Sequence, residues 1–156
     1  MAILDRVMDP EVPVVSVVDL GVVRKVEIEE EGVRVTLTPT YSGCPAMHTM
    51  EQDMRAALRE EGIDEVTFRT VHAPAWTSDW IGEEAREKLR KFGIAPPGPA
   101  PESGLVSLTL GRRPPVTCPY CGSGKTELRS ELGSTACKAI HFCNACQQPF
   151  DEFKAF

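Results

Sequence analysis

The chain has 156 residues, 42% hydrophobic and 26% charged, and its 23 acidic against 17 basic side chains give a formal charge of -6. That length holds one ordinary domain, or a domain of about 100 residues with a small appendage. The composition excludes a fibrous or disordered chain, no apolar run approaches the roughly 18 residues of a membrane helix, and an acidic surface disfavours nucleic acid as a partner.

The opening stretch, "MAILDRVMDPEVP", carries early acids and lacks the basic, apolar and small-residue regions of a secretory signal, so a cytoplasmic location is expected. In that compartment the six cysteines read as thiols or metal ligands rather than disulfides. Within "AILDRVMD", Ile3, Leu4, Val7 and Met8 fit one helical face, and Pro10 would end that helix. The segments "VVRKVEIEE" and "GVRVTLT" alternate apolar and polar residues around a turn at residues 30–32, the signature of a β-hairpin. From Pro45 onward Met47, Met50, Met54, Ala57 and Leu58 recur at helical spacing until Gly62 supplies a stop, and "DEVTFRTV" reads as a third strand. A last helix is expected from about Ser78 to Phe92, with Ser78 as N-cap and Trp80, Ile81, Ala85 and Leu89 on its buried face.

The order α-β-β-α-β-α predicts a small two-layer α+β domain over residues 1–95. "GIAPPGPAPESG" then breaks both helix and strand, so residues 96–115 form a Pro/Gly-rich linker, with a short strand possible in "LVSLTL" at 105–110.

The remaining segment, 116–156, carries "CPYC" at 118–121 and, after 21 intervening residues, "CNAC" at 143–146. Two CxxC pairs at this separation predict a zinc ribbon, because each pair forms a tight knuckle that aims two thiolates at one tetrahedral ion. Cys118, Cys121, Cys143 and Cys146 are the expected ligands, and with no position left for water the zinc is structural. "GSGKT" at 122–126 resembles the end of a phosphate-binding loop, but the required earlier glycine is Pro119, so nucleotide binding is rejected. The basic residues of "GRR" and of 125–129 are too sparse for a nucleic-acid face. Cys137 has no paired cysteine nearby and is either a buried thiol or a redox or docking group.

"TPTYSGCPAMHTM" at 38–50 sets Cys44 where a strand hands over to a helix. With Pro45 at the first helical position Cys44 would be the N-cap, and the unpaired N–H groups and helix dipole would lower its pKa and make it a nucleophile or soft-metal ligand. The other reading is a small buried apolar group. His48, one turn later, is a surface or capping group, or a neighbour of the thiol.

Together, "MDPEVPVVSVVDLGVVRKVEI", "TPTYSGCPAM", "WTSDWI" and "SELGSTACKAIHFCNACQQPFDEFKAF" resemble the PaaD (PaaJ) family of bacterial phenylacetate degradation, over nearly the whole chain. The "DPEVP" start, the "DLG" step and the "TYSGCP" loop also resemble the wider SufT-like iron-sulfur assembly family. The resemblance implies an accessory protein, without a catalytic site of its own, for the phenylacetyl-CoA ring-epoxidising oxygenase system. It would assist assembly or repair of an iron-sulfur or diiron centre, with the oxygenase and reductase components as partners. The alternative is a structural docking subunit of that complex.

Carried over by position, the family's reactive cysteine falls on Cys44 and its acidic positions on Glu11 and Asp19, while Trp76, Asp79 and Trp80 lie in a family motif. Glu11, Asp19 and Asp79 are therefore supporting or partner-facing candidates, or else turn-capping groups. A transient iron or iron-sulfur cargo would find one cysteine in this domain where a cluster takes four ligands, so a homodimer, a small thiol or a client would supply the rest.

Overall fold

The structure is a computed structural model and describes residues 1–30, 32–100 and 115–156. The chain divides into two compact units, Met1–Lys88 and Leu89–Phe156. The short strand expected at 105–110 lies outside the described residues.

In the first unit, β1 (Val23–Glu29) and β2 (Gly32–Leu37) form the expected antiparallel hairpin, with Val26 opposite Val35 and Glu29 opposite Gly32. Helix α1 (Ala46–Glu60) then returns the chain so that β3 (Val66–Thr70) lies parallel to β2, giving a three-stranded sheet in the order β1-β2-β3. A parallel neighbour requires such a crossover, because a tight turn can only reverse the chain. The period-two face of β2 buries Val35 and Leu37, and the helix supplies Met50, Met54 and Leu58 at four-residue steps, all 3% exposed or less. Each such side chain contributes about 1.5–3 kcal/mol by leaving water. Gly62, at φ 81°, donates its N–H to the Arg59 carbonyl and ends the helix, as its position in the sequence suggests.

Two expected helices differ. Residues Leu4–Arg6 form only one 3-10 turn, because the Val7 carbonyl accepts from Val17 N–H and Asp9 N–H donates to the Val15 carbonyl. Long-range pairing thus captures the backbone that a continuing helix would use, leaving Leu4 and Val7 buried but Met8 exposed. The Ser78–Phe92 helix is split into a 3-10 turn at Ser78–Trp80 and α2 (Glu83–Phe92), with Ile81 extended at φ -76° and ψ 112° between them. Thr77, not Ser78, caps the first piece, its side chain accepting from Asp79 N–H. Ile81, Ala85 and Leu89 are nonetheless buried as expected, whereas Trp80 is only half-buried.

The second unit holds a four-stranded sheet in the order β4-β7-β6-β5, built from β4 (Ile94–Ala95), β5 (Thr126–Ser130), β6 (Lys138–Cys143) and β7 (Pro149–Phe153). Strands β5, β6 and β7 are antiparallel neighbours, and β4 joins parallel to β7. Ala95, Cys118, Cys143 and Phe150 form one small buried cluster there, with Val116 and Cys146 against it, and Ile94, Ala139 and Phe153 are buried as well. The molecule is thus mixed α+β with two small sheets. Among the described residues no helix is long and apolar enough to cross a membrane.

Candidate functional site

Cys44 sits half-buried just ahead of α1. Its N–H donates to the Tyr41 carbonyl at 3.3 Å, and its carbonyl accepts from Met47 N–H at 3.4 Å. The helix starts one residue later than expected, with Pro45 at the cap position, so Cys44 precedes the cap. Burial is the largest influence on the thiol and pushes its pKa above the ordinary 9.0. The Ala46 N–H and the Tyr41 side chain pull it down, and the carboxylates of Glu11 and Asp9 push it up further. The helix-start effect anticipated from the sequence is therefore present, through Ala46, but desolvation and nearby negative charge outweigh it. His48 is exposed, and its Nε2 lies 3.0 Å from the Gln52 amide nitrogen on the same helix.

Glu11 owes its position to Asp9, a residue sequence reasoning passed over. The buried Asp9 carboxylate accepts from the N–H groups of Glu11 at 2.7 Å and Val12 at 2.8 Å. An aspartate capping the backbone two residues on is a known turn device, so "DPE" did carry a signal. Tyr41 carried none.

Asp19 belongs to a separate clasp. Its Oδ2 accepts from Ser16 N–H at 3.0 Å and from Lys88 Nζ at 2.8 Å, while Ser16 Oγ donates to Asp5 Oδ1 at 2.6 Å and accepts from Asp19 N–H. The Asp19 hydrogen bond raises the Lys88 pKa above its ordinary value. Beside this clasp the "DLG" step meets the "WTSDW" motif: Trp76 Nε1 donates to the Leu20 carbonyl at 2.8 Å, and the Arg24 guanidinium lies 3.4 Å from the centre of the Trp80 ring. Gly21, at φ 67°, makes this approach possible, since a Cβ there would stand 2.9 Å from Trp80 Cβ. Asp79 is exposed at the 3-10 turn, its N–H donating to Thr77 Oγ1.

In the second unit the Sγ atoms of Cys118, Cys121, Cys143 and Cys146 all lie within 4.8 Å of one another. Cys118 to Cys146 is 3.7 Å and Cys121 to Cys143 is 3.6 Å, against about 3.8 Å for the edge of a tetrahedron with metal-sulfur bonds of about 2.3 Å. The set fits one zinc ion held by all four thiolates. The two knuckles share one construction, with Gly122 N–H donating to the Cys118 carbonyl and Gln147 N–H to the Cys143 carbonyl, both at 2.9 Å.

Residues 122 and 147 both have positive φ, 71° and 59°. Gln147 adopts it without glycine's freedom, and its side chain donates to the Asn144 carbonyl at 2.9 Å. The Cys146 N–H, followed by other local donors, holds the Cys143 thiol down to about 7, whereas burial and the neighbouring sulfurs push Cys146 up to about 12. Four sulfurs this close resist shared ionisation, and a divalent cation would take the place of their protons. Cys137 lies apart from the set, buried, with Sγ 3.0 Å from Thr135 Oγ1.

The profile of the PaaD zinc beta ribbon domain matches residues 103–154, and that of the iron-sulfur cluster assembly protein family matches residues 1–68. A protein of Escherichia coli (strain K12), provisionally named as one of the subunits of 1,2-phenylacetyl-CoA epoxidase, is 46% identical over 153 residues, covering 98% of this chain and 89% of that protein. The Fe-S protein maturation auxiliary factor SufT of Staphylococcus aureus (strain USA300) is 34% identical over 85 residues, 53% of this chain and 96% of its own. Among solved structures, the domain of unknown function DUF59 from Bacillus anthracis superimposes with a TM-score of 0.52 at 30% identity, covering 56% of this chain and 85% of that one. With the assembly-domain and ribbon profiles in this order and a relative matched along almost its whole length, the chain belongs to the PaaD family.

Proposed function

We propose that the protein is a non-catalytic maturation factor of the 1,2-phenylacetyl-CoA epoxidase system, in which Cys44 transiently holds iron or an iron-sulfur cluster for a metallocentre of the complex while the zinc ribbon docks to a component of it. The observation that carries this reading is the half-buried Cys44 on an assembly-type domain, in a chain that matches a relative named for that epoxidase over 153 residues. A thiol with a raised pKa keeps its proton until a metal ion displaces it to solvent, so loading would release a proton and unloading take one up. Cys44 alone leaves most cluster positions to other donors, which favours a loosely held cargo shared with a client, a small thiol or a second copy of the chain.

A second reading, a structural docking subunit with Cys44 as packing, is favoured by the naming of the same relative as part of the epoxidase itself. Anaerobic reconstitution of the wild type and Cys44→Ala, with iron, acid-labile sulfide and zinc measured on the same samples, separates the two. Iron lost only from the variant, with zinc unchanged, is the expected result. Iron absent from both, with one zinc per chain, would shift the assignment to the docking role.

A further inference from the structure

At the opposite end of α1 from Cys44, the tip of the β1-β2 hairpin and the loop between α1 and β3 enclose an open groove lined by Ile28, Val33 and Ile63 together with Glu29, Asp64 and Glu65. α1 has 15 residues, so roughly 22 Å separates the two ends. Ile28 is 90% exposed, the most exposed large hydrophobic side chain among the described residues. A single exposed isoleucine needs no explanation, but here it is continuous with two further apolar side chains in one concavity.

The groove is also rigidly built. Gly32, at φ 140°, has no room for a side chain, because a Cβ would stand 2.2 Å from the Glu65 carbonyl oxygen, and Val33 N–H donates to that same oxygen at 2.9 Å. The hairpin and the loop are thereby locked backbone to backbone.

The surroundings are acidic. Arg34 pairs with Glu29 at 2.6 Å, Arg59 lies 3.6 Å from Asp64 and Arg6 meets the neighbouring Glu61 at 2.6 Å, which among the described residues leaves Glu65 and the adjoining Glu30 as excess negative charge. A second copy of the chain, with a formal charge of -6 and the same acidic groove, is a poor occupant.

We propose that this groove docks a segment of a partner protein that carries an apolar side chain flanked by lysine or arginine. The apolar group would cover Ile28, Val33 and Ile63, and the cations would meet the acidic rim. Because the groove and Cys44 lie at opposite ends of α1, a partner held there leaves the thiol accessible, so grip and cargo handling are separate. This proposal does not depend on Cys44 carrying iron.

The test places a photo-crosslinking phenylalanine analogue at Ile28 in the full-length protein, in cells grown on phenylacetate, with the same analogue at the exposed Thr49 as control. The crosslinked peptide is sequenced by mass spectrometry. The expected product from position 28, absent from position 49, is a peptide of another protein with at least one apolar and two basic residues. Its yield should fall at least tenfold with Asp64→Lys and Glu65→Lys together. Charge reversal that unfolded the chain would be exposed by tryptophan fluorescence, and Glu65→Gln alone, expected to lower the yield about threefold, then serves instead. No adduct at position 28, an adduct to the chain's own peptides, a partner peptide lacking basic residues, or a yield indifferent to these substitutions would each overturn the proposal.

Discussion

Replacing Gly21 by alanine tests the join between the "DLG" step and the tryptophan motif. Two costs add. An L-residue at φ 67° occupies the left-handed region, worth about 1–2 kcal/mol. The new methyl would also lie 2.9 Å from Trp80 Cβ, an atom next to the backbone of a 3-10 turn whose ring is stacked under Arg24, so relief requires moving that turn. Overpacking of this kind costs about 1–3 kcal/mol, for a total of about 2–5 kcal/mol.

Gly62→Ala is the matched control, with φ 81° and open space around the position, and should lose only the backbone part, about 1–2 kcal/mol. Both tryptophans of the chain, Trp76 and Trp80, lie in the first unit, so thermal unfolding followed by tryptophan fluorescence reports that unit by itself. For a unit of this size the excess cost of Gly21→Ala corresponds to a midpoint roughly 4–24 °C below that of Gly62→Ala. Equal losses in the two variants would refute the steric argument and leave backbone conformation as the whole effect.

Two further outcomes are expected. Chelating the ribbon metal should abolish amide-exchange protection in β6 and β7 while leaving the tryptophan signal unchanged, because the four thiols pack in and beside a buried cluster of that sheet and would repel one another without their ion; protection that survived chelation would show a self-sufficient core. Alkylation of Cys44 by iodoacetamide, followed on its own peptide, should titrate above pH 9.0, moving to lower pH in Glu11→Gln as a negative neighbour is removed and higher in Tyr41→Phe as a hydrogen bond to the thiolate is lost; a midpoint below pH 8 would contradict the burial argument.

The parts of the fold legible in the sequence were those governed by local periodicity. The alternation of β1 and β2, the methionine repeat of α1 and its glycine stop each appear where the pattern placed them. The N-terminal pattern misled because Val7 and Asp9 answer to partners at Val15 and Val17, which outcompete a short helix of marginal stability. At the split, Ala85 and Leu89 lie on the buried face as expected, while the Arg86 guanidinium donates to the Ser78 and Ile81 carbonyls between the two pieces. At the site, the cysteine spacing predicted the four sulfurs that lie together, Cys44 stood out by its place between Gly43 and Pro45 at the strand-to-helix junction, and Glu11 emerged from family likeness, whereas the raised thiol pKa required knowing how deeply the thiol is buried and which carboxylates fold beside it.

The two-residue strand β4 has a practical consequence for anyone grafting or excising the ribbon. The proline-rich stretch looks like the natural seam, yet Ile94 and Ala95 lie upstream of it and complete the sheet against β7, with Ala95 packed among Cys118, Cys143 and Phe150. A fragment beginning at Val116 would lose that floor and present the bare edge of β7, an invitation to strand pairing between molecules. A fragment that keeps β4 begins no later than Gly93, where α2 ends, and the compact unit itself begins at Leu89.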